Sequence, residues 1–176
     1  MAQGEALKVI RSVLGKSLTF EQAQQLAAAS VPLATKAGTL VFKEGDRPEG
    51  LLILTRGKVE VFREVNGTMQ QIAAVDAPTV LGEMGLLLER GHTASVRAVT
   101  DCEFMLLTRT QFQRLIEADS LAAYKLMATI AEVLARRLHL MDEKVIELRS
   151  RMPSEATPPV EELQAFKQKL FSDWSF

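Results

Sequence analysis

Between Leu33 and Thr108 the sequence breaks into short apolar or alternating runs, each closed by Gly, Pro, Asp or Asn. Such runs are the signature of many closely spaced strands. They are Thr39–Lys43, Gly50–Thr55, Lys58–Arg63, Met69–Val75, Ser95–Val99 and Glu103–Leu107. The run KVEVFR alternates, with Val59, Val61 and Arg63 on one face, whereas LLILT is apolar almost throughout and reads as buried on both sides. Gly45-Asp46, Arg56-Gly57 and Asn66-Gly67 mark corners. Asn-Gly is the strongest of these signals, because both residues tolerate the positive φ of a type I′ hairpin turn. A mainly β fold follows, a sandwich, barrel or roll of about eight strands.

Helical spacing flanks this region on both sides. Leu7, Val9, Ile10, Val13 and Leu14 predict a helix over Glu5–Leu14, and a second runs from Leu18 to Ala29 after a break at Gly15. Thr19 followed by Glu21 and Gln22 suits its start, and Pro32 lies just past its end. From Thr110 to about Arg151 no Gly or Pro interrupts the helical period. Asp119 or Ser120 can cap a long helix there, reaching about 45 Å at 1.5 Å per residue. With Met127, Leu134, Met141 and Leu148 at heptad position d, Ala131, Leu138 and Val145 fall at a. In a parallel pair Arg137 would face Asp142 favourably and Lys144 would face Arg149 unfavourably. Two readings of this seam stand: packing along the chain's own β-core, or homodimerisation by a helix that outruns that core. Methionine at d makes the seam adaptable. The chain thus divides into N-terminal helices (1–32), a β-roll (33–109), a hinge helix with a long dimer helix (110–151), and a final segment (152–176). That segment opens with the Pro-rich PSEATPP and continues as an amphipathic helix with Val160, Leu163, Phe166, Leu170 and Trp174 on one face. It can dock on its own domain, bind a partner or cover a pocket.

Composition narrows the function classes. At 176 residues the chain accommodates one domain and a short appendage, and 47% hydrophobic with 24% charged residues describes a globular protein rather than a disordered one. Lys and Arg number 21 against 22 Asp and Glu, so the basic excess of a nucleic-acid binder is missing. Cys102 is alone and the two histidines are far apart, which argues against a disulfide or a metal cluster and fits a reducing cytoplasm. The N-terminal MAQGEALKVIRSVLG lacks the apolar run of a signal peptide or membrane helix, so neither export nor a membrane span is expected. No G-x-S-x-G, G-x-x-x-x-G-K-[ST] or H-E-x-x-H occurs, so neither catalysis nor a cofactor is expected.

The most informative stretch is Leu81–Ala98, LGEMGLLLERGHTASVRA. Gly82 and Gly85 expose the first amides of a short helical turn, an arrangement that favours an anion, and Glu83 can accept from a sugar hydroxyl. A polar loop, Glu89-Arg90-Gly91-His92, then leads into a strand that begins Thr93-Ala94. These residues resemble the cyclic-nucleotide-binding domain of catabolite-activator-like regulators, protein kinase regulatory subunits and nucleotide-gated channels. The resemblance spans about residues 18–151. Gly45 in FKEGD and Gly57 in LTRGKVEVF match the family's turn glycines, GEMGLL with HTASVRA matches its phosphate-binding cassette, and LARRLHLMDEKVIELRSR its dimer helix.

The resemblance implies an eight-stranded β-roll, jelly-roll-like or a double-stranded β-helix, with cAMP or cGMP held between roll and long helix. It implies Glu83 as acceptor for the ribose 2′-hydroxyl, Gly82, Met84 and Gly85 as cassette backbone, Thr93 as a ligand contact, and Ala94 as the small residue whose amide approaches phosphate. His92 stands where the family carries Arg. A permanently charged fork is thereby exchanged for a shorter group that is neutral for much of the time near pH 7. Losing one hydrogen bond to a charged group, roughly 1.5–3 kcal/mol, weakens binding about ten- to a hundredfold. Arg90, two residues upstream, is a candidate phosphate contact or else a solvated loop residue.

The function that follows is a stand-alone cyclic-nucleotide-binding-like regulatory module, homodimeric, coupling a ligand to a protein partner. The alternatives are a cassette that no longer binds and serves as an interaction scaffold, and a truncated regulator that pairs with a full-length relative. Direct DNA binding is not expected, because 25 residues follow Arg151 and they do not read as a helix-turn-helix domain.

Overall fold

In the computed structural model, residues 3–13, 18–88 and 90–151 are described. The chain runs α1 (Gln3–Val13), α2 (Phe20–Ala29), β1 (Val31–Thr35), β2 (Leu40–Phe42), β3 (Gly50–Arg56), β4 (Lys58–Val65) and β5 (Thr68–Asp76). It continues through β6 (Thr79–Leu81), α3 (Glu83–Leu87), β7 (Ser95–Ala98), β8 (Cys102–Thr108), α4 (Arg109–Glu117) and α5 (Leu121–Arg151). The strands form two antiparallel four-stranded sheets, ordered β1-β8-β3-β6 and β2-β7-β4-β5. Their inner faces meet in a core that includes Leu52, Leu54, Phe104 and Leu106 from the first sheet and Val59, Val96 and Ala98 from the second.

The two sheets differ on their outer faces, and the sequence pattern follows that difference. Helices α1 and α3 pack on β3, and α2 and α4 on β8. Every β3 residue from Gly50 to Thr55 is therefore buried, as the uninterrupted apolar run predicts. In the second sheet Val59 is buried while Glu60 on the opposite face pairs with Arg97 at 3.1 Å, so alternation marks a strand with one wet face. Arg97 also lies 4.8 Å over the Phe62 ring and covers it. Arg63, at the end of the inward series, is exposed and held by Glu44 at 2.6 Å. Asn66 and Gly67 both have positive φ, 53° and 75°, as the hairpin signal requires.

Two strands escape the sequence pattern. β1 begins at Val31, before the boundary placed at residue 33, and contains Pro32, which reads as a helix terminator. As the outer strand of its sheet β1 pairs only with β8, and a proline lacking N–H is tolerated on such an edge. β6 has only three residues and becomes a strand because Leu52–Leu54 of β3 supply its partner. Helix α2 starts one residue after Thr19, which forms a reciprocal capping box with Gln22.

Two compact units comprise Met1–Ala131 and Glu132–Phe176. In the first, α5 starts with the Ser120 carbonyl accepting the Ala123 and Tyr124 amides, and it buries Ala122, Ala123, Leu126 and Ile130. That face leaves out the seam residues Met127 and Ala131, both exposed. In the second, Leu138, Met141 and Val145 of the seam are each more than half exposed, as are Leu140 and Ile146, while Leu134 is half-buried. The side chain of Leu148, and the Pro-rich segment and amphipathic helix assigned to 152–176, lie outside the described residues.

Leu107 of β8 is fully buried. Leu107→Ala is expected to lower unfolding free energy by about 2–5 kcal/mol in urea titration, whereas Met69→Ser on exposed β5 should change it by less than about 0.5 kcal/mol.

Candidate functional site

β6 delivers the chain to Gly82 at one end of the roll. Gly82 has φ 74°, a left-handed conformation that a side chain would strain, and there it turns the strand into α3 with no side-chain cap. Its carbonyl accepts the Gly85 and Leu86 amides at 3.0 and 3.3 Å. Glu83, next in the chain, is 5% exposed, while Met84 points outward. The other end of α3 is held by Arg109 of α4, whose guanidinium donates to the Gly85 and Leu88 carbonyls at 2.8 and 2.9 Å. These are carbonyls a short helix cannot satisfy internally.

The chain returns through residues 90–94. The His92 carbonyl accepts from the Gly45 amide at 2.8 Å, and the His92 amide donates to the Asp46 carbonyl at 2.9 Å. The loop is thus tied to the β2–β3 turn, which explains why the FKEGD and HTASVRA segments belong to one site. The His92 ring stacks on Phe42, with centroids 3.8 Å apart and planes 12° apart. Its Cε1 lies 3.5 Å from the position a β-carbon would take on Gly82. A cavity of about 270 Å³ beside it is walled by Phe42, Asp46, Arg47, Glu49 and the core residues Leu52 and Phe104. Burial lowers the pKa of His92 below its ordinary value, and the carboxylates of Asp46 and Glu83 oppose that shift without reversing it. Beyond it Thr93 is exposed and Ala94 half-buried, and their amides have no acceptor among the described residues. Ser95 then opens β7, its hydroxyl accepting from the Glu44 amide at 2.9 Å.

Gly82, Glu83 and Gly85 therefore gather with His92, and Thr93-Ala94 follows directly. Arg90 is exposed and lines a neighbouring cavity with Gly45, Arg47, Pro48, Gly91 and Arg109. Phe42, Asp46 and Arg109 were not among the site residues read from the sequence. Gly45-Asp46 was visible only as a corner, and nothing in the order of residues brings that corner to the cassette. No cluster of three metal-ligating side chains occurs among the described residues, and none of the described helices is long and apolar enough to cross a membrane.

The family model described as cyclic nucleotide-binding domain matches residues 33–119, from β1 through α4. Residues 33–119 are a cyclic nucleotide-binding domain. Among similar proteins, a cyclic AMP receptor protein of Thermus thermophilus is 38% identical over 106 residues, 60% of this chain and 47% of that protein. A cGMP-dependent protein kinase of Caenorhabditis elegans is 32% identical over 102 residues, 58% of this chain and 13% of the kinase. The crystal structure of the Thermus thermophilus catabolite activator protein superposes with a TM-score of 0.68 at 31% identity, covering 77% of this chain and 62% of that one. The chain thus spans less than half the length of either curated relative. The likeness confirms the eight-stranded roll of this domain with a long helix after it.

His92 gives the domain a pH signature. Its folded pKa lies below the unfolded value of about 6.5, so the stability it contributes is whole above that value and is lost as pH falls through the folded pKa. Nuclear magnetic resonance titration should place the His92 midpoint below that of an unfolded histidine. His92→Phe, which keeps the stack, should flatten the fall in stability between about pH 7 and pH 5.

Proposed function

We propose that this domain binds a cyclic nucleotide, cAMP or cGMP, at the cassette and passes the binding event through α5 to a protein partner. The observation that carries this role is the pair of amides at Thr93 and Ala94, without protein acceptors among the described residues, one step from a histidine whose ring borders the space that a side chain on Gly82 would fill. An anionic phosphate can accept from both amides and from the Thr93 hydroxyl, each bond to a charged group contributing roughly 1.5–3 kcal/mol before ordering costs. Buried Glu83 is the acceptor for the ribose hydroxyl. His92 adds little charge near neutral pH, so affinity is weaker than an arginine would give. Catalysis has no part in this role, and a reducing cytoplasmic setting is consistent with the free, buried Cys102.

Homodimerisation through α5 belongs to the same proposal. It is supported by the division of labour on that helix: Ala122, Ala123, Leu126 and Ile130 are buried in the chain's own fold, leaving Met127, Ala131, Leu138, Met141 and Val145 exposed. An alternative role, an interaction module that binds no nucleotide, is favoured by the stacking of His92 on Phe42, which occupies the ring in a structural contact.

Calorimetric titration with cAMP and cGMP tests the choice. Binding by the wild type, weakened at least about tenfold by Glu83→Ala and strengthened by His92→Arg, is the expected result. No binding by the wild type, with binding gained by His92→Arg, would establish the interaction module instead. Sedimentation should show a dimer that Leu134→Asp with Leu138→Asp converts to a monomer; a dimer that survives both changes would exclude the seam.

A further inference from the structure

We infer that, given the cyclic-nucleotide site proposed above, binding takes up a proton from solvent on the His92 ring, so that affinity rises as pH falls. The ring stands at the cassette without being consumed by it. One face lies on Phe42, and the Cε1 edge borders both cassette glycines, 3.5 Å from the β-carbon position of Gly82 and 3.8 Å from that of Gly85. Among the described residues neither ring nitrogen takes a hydrogen bond, and neither is sealed from solvent. A proton can reach the ring, and an anion can reach the proton. Thr93 and Ala94, the next two residues, bring the open amides.

Neutral imidazole offers one donor and no charge, whereas imidazolium offers two donors and a full positive charge. A cyclic phosphate stays a monoanion throughout the range in which histidine titrates, so only the protein side of the contact changes with pH. In the domain alone, burial holds the ring towards its neutral form. A bound anion favours the imidazolium. By linkage, a ligand that raises the proton affinity of the ring binds more tightly when protons are plentiful.

The charged groups facing the ring come from two elements. Asp46, Arg47 and Glu49 of the β2–β3 connection share its cavity, and Glu83 of α3 acts on it through charge. β1, β2, β3 and β8 present only uncharged residues to that cavity. On the ring's own loop, Arg90 lines the neighbouring cavity and Glu89 lies outside the described residues. Asp46 and Glu83 favour the imidazolium without overcoming burial. A phosphate acts in the same direction as these carboxylates, and its charge is the addition that binding supplies.

Calorimetric titration of the full chain with cAMP and with cGMP, at about pH 7.5 and about pH 5.5, tests the coupling. The dissociation constant should fall about tenfold at the acid pH, and heats measured in two buffers of unequal ionisation enthalpy should differ by the uptake of up to about one proton. His92→Arg should bind more tightly at the higher pH and lose the dependence. His92→Phe, which keeps the stack, should show the same affinity at both pH values. Nuclear magnetic resonance should find the His92 midpoint raised when the nucleotide saturates the chain. Equal wild-type affinity at both pH values, an unmoved midpoint, or a pH dependence that survives in His92→Phe would each overturn the coupling and leave the nucleotide site standing. Absence of binding at both pH values would instead overturn the nucleotide site, and the coupling with it.

Discussion

Strand β3 is the constraint on which the rest of the molecule depends. It is paired on both edges, by β8 and β6, and covered on both faces, by the roll interior and by α1 and α3. Leu51, Ile53 and Leu54 are almost completely enclosed, each representing roughly 1.5–3 kcal/mol of apolar burial. Fixing β3 fixes β6, and three residues of β6 lead directly into Gly82. The position of the cassette is therefore inherited from the most buried of the described strands rather than from a mobile loop.

The chemistry of the cassette is set by how its short helix is held. Arg109 satisfies the carbonyl end of α3, and the Gly45-Asp46 turn captures the backbone on both sides of the His92 peptide unit. These ties leave the Thr93 and Ala94 amides open and enclose Glu83. They also draw the His92 ring against Phe42, where desolvation favours its neutral form. The ring is a group whose charge depends on pH rather than a permanent cation.

Much of this was legible in residue order. The uninterrupted apolarity of LLILT against the alternation of KVEVFR anticipated one strand buried on both faces and another with alternating faces. Thr19 and Asn66-Gly67 did what their local chemistry dictates. The failures share a cause. β1 and β6 are strands because a neighbour offers a hydrogen-bonding edge, and neither Pro32 nor a three-residue run carries that information. Similarly, Phe42, Asp46 and Arg109 became parts of the site only when the fold brought them to the cassette.

The sequence by itself determined the alternation of helix, strand and helix, the corners, the cassette motif and the departure at His92, because each rests on periodicity or on a residue's intrinsic backbone and charge properties. Tertiary structure alone decided which face of α5 is spent on the chain's own core, where the His92 ring lies, and that Arg109 reaches the end of α3. Those outcomes depend on contacts between residues dozens of positions apart, whose energies exist only once both partners are held in place.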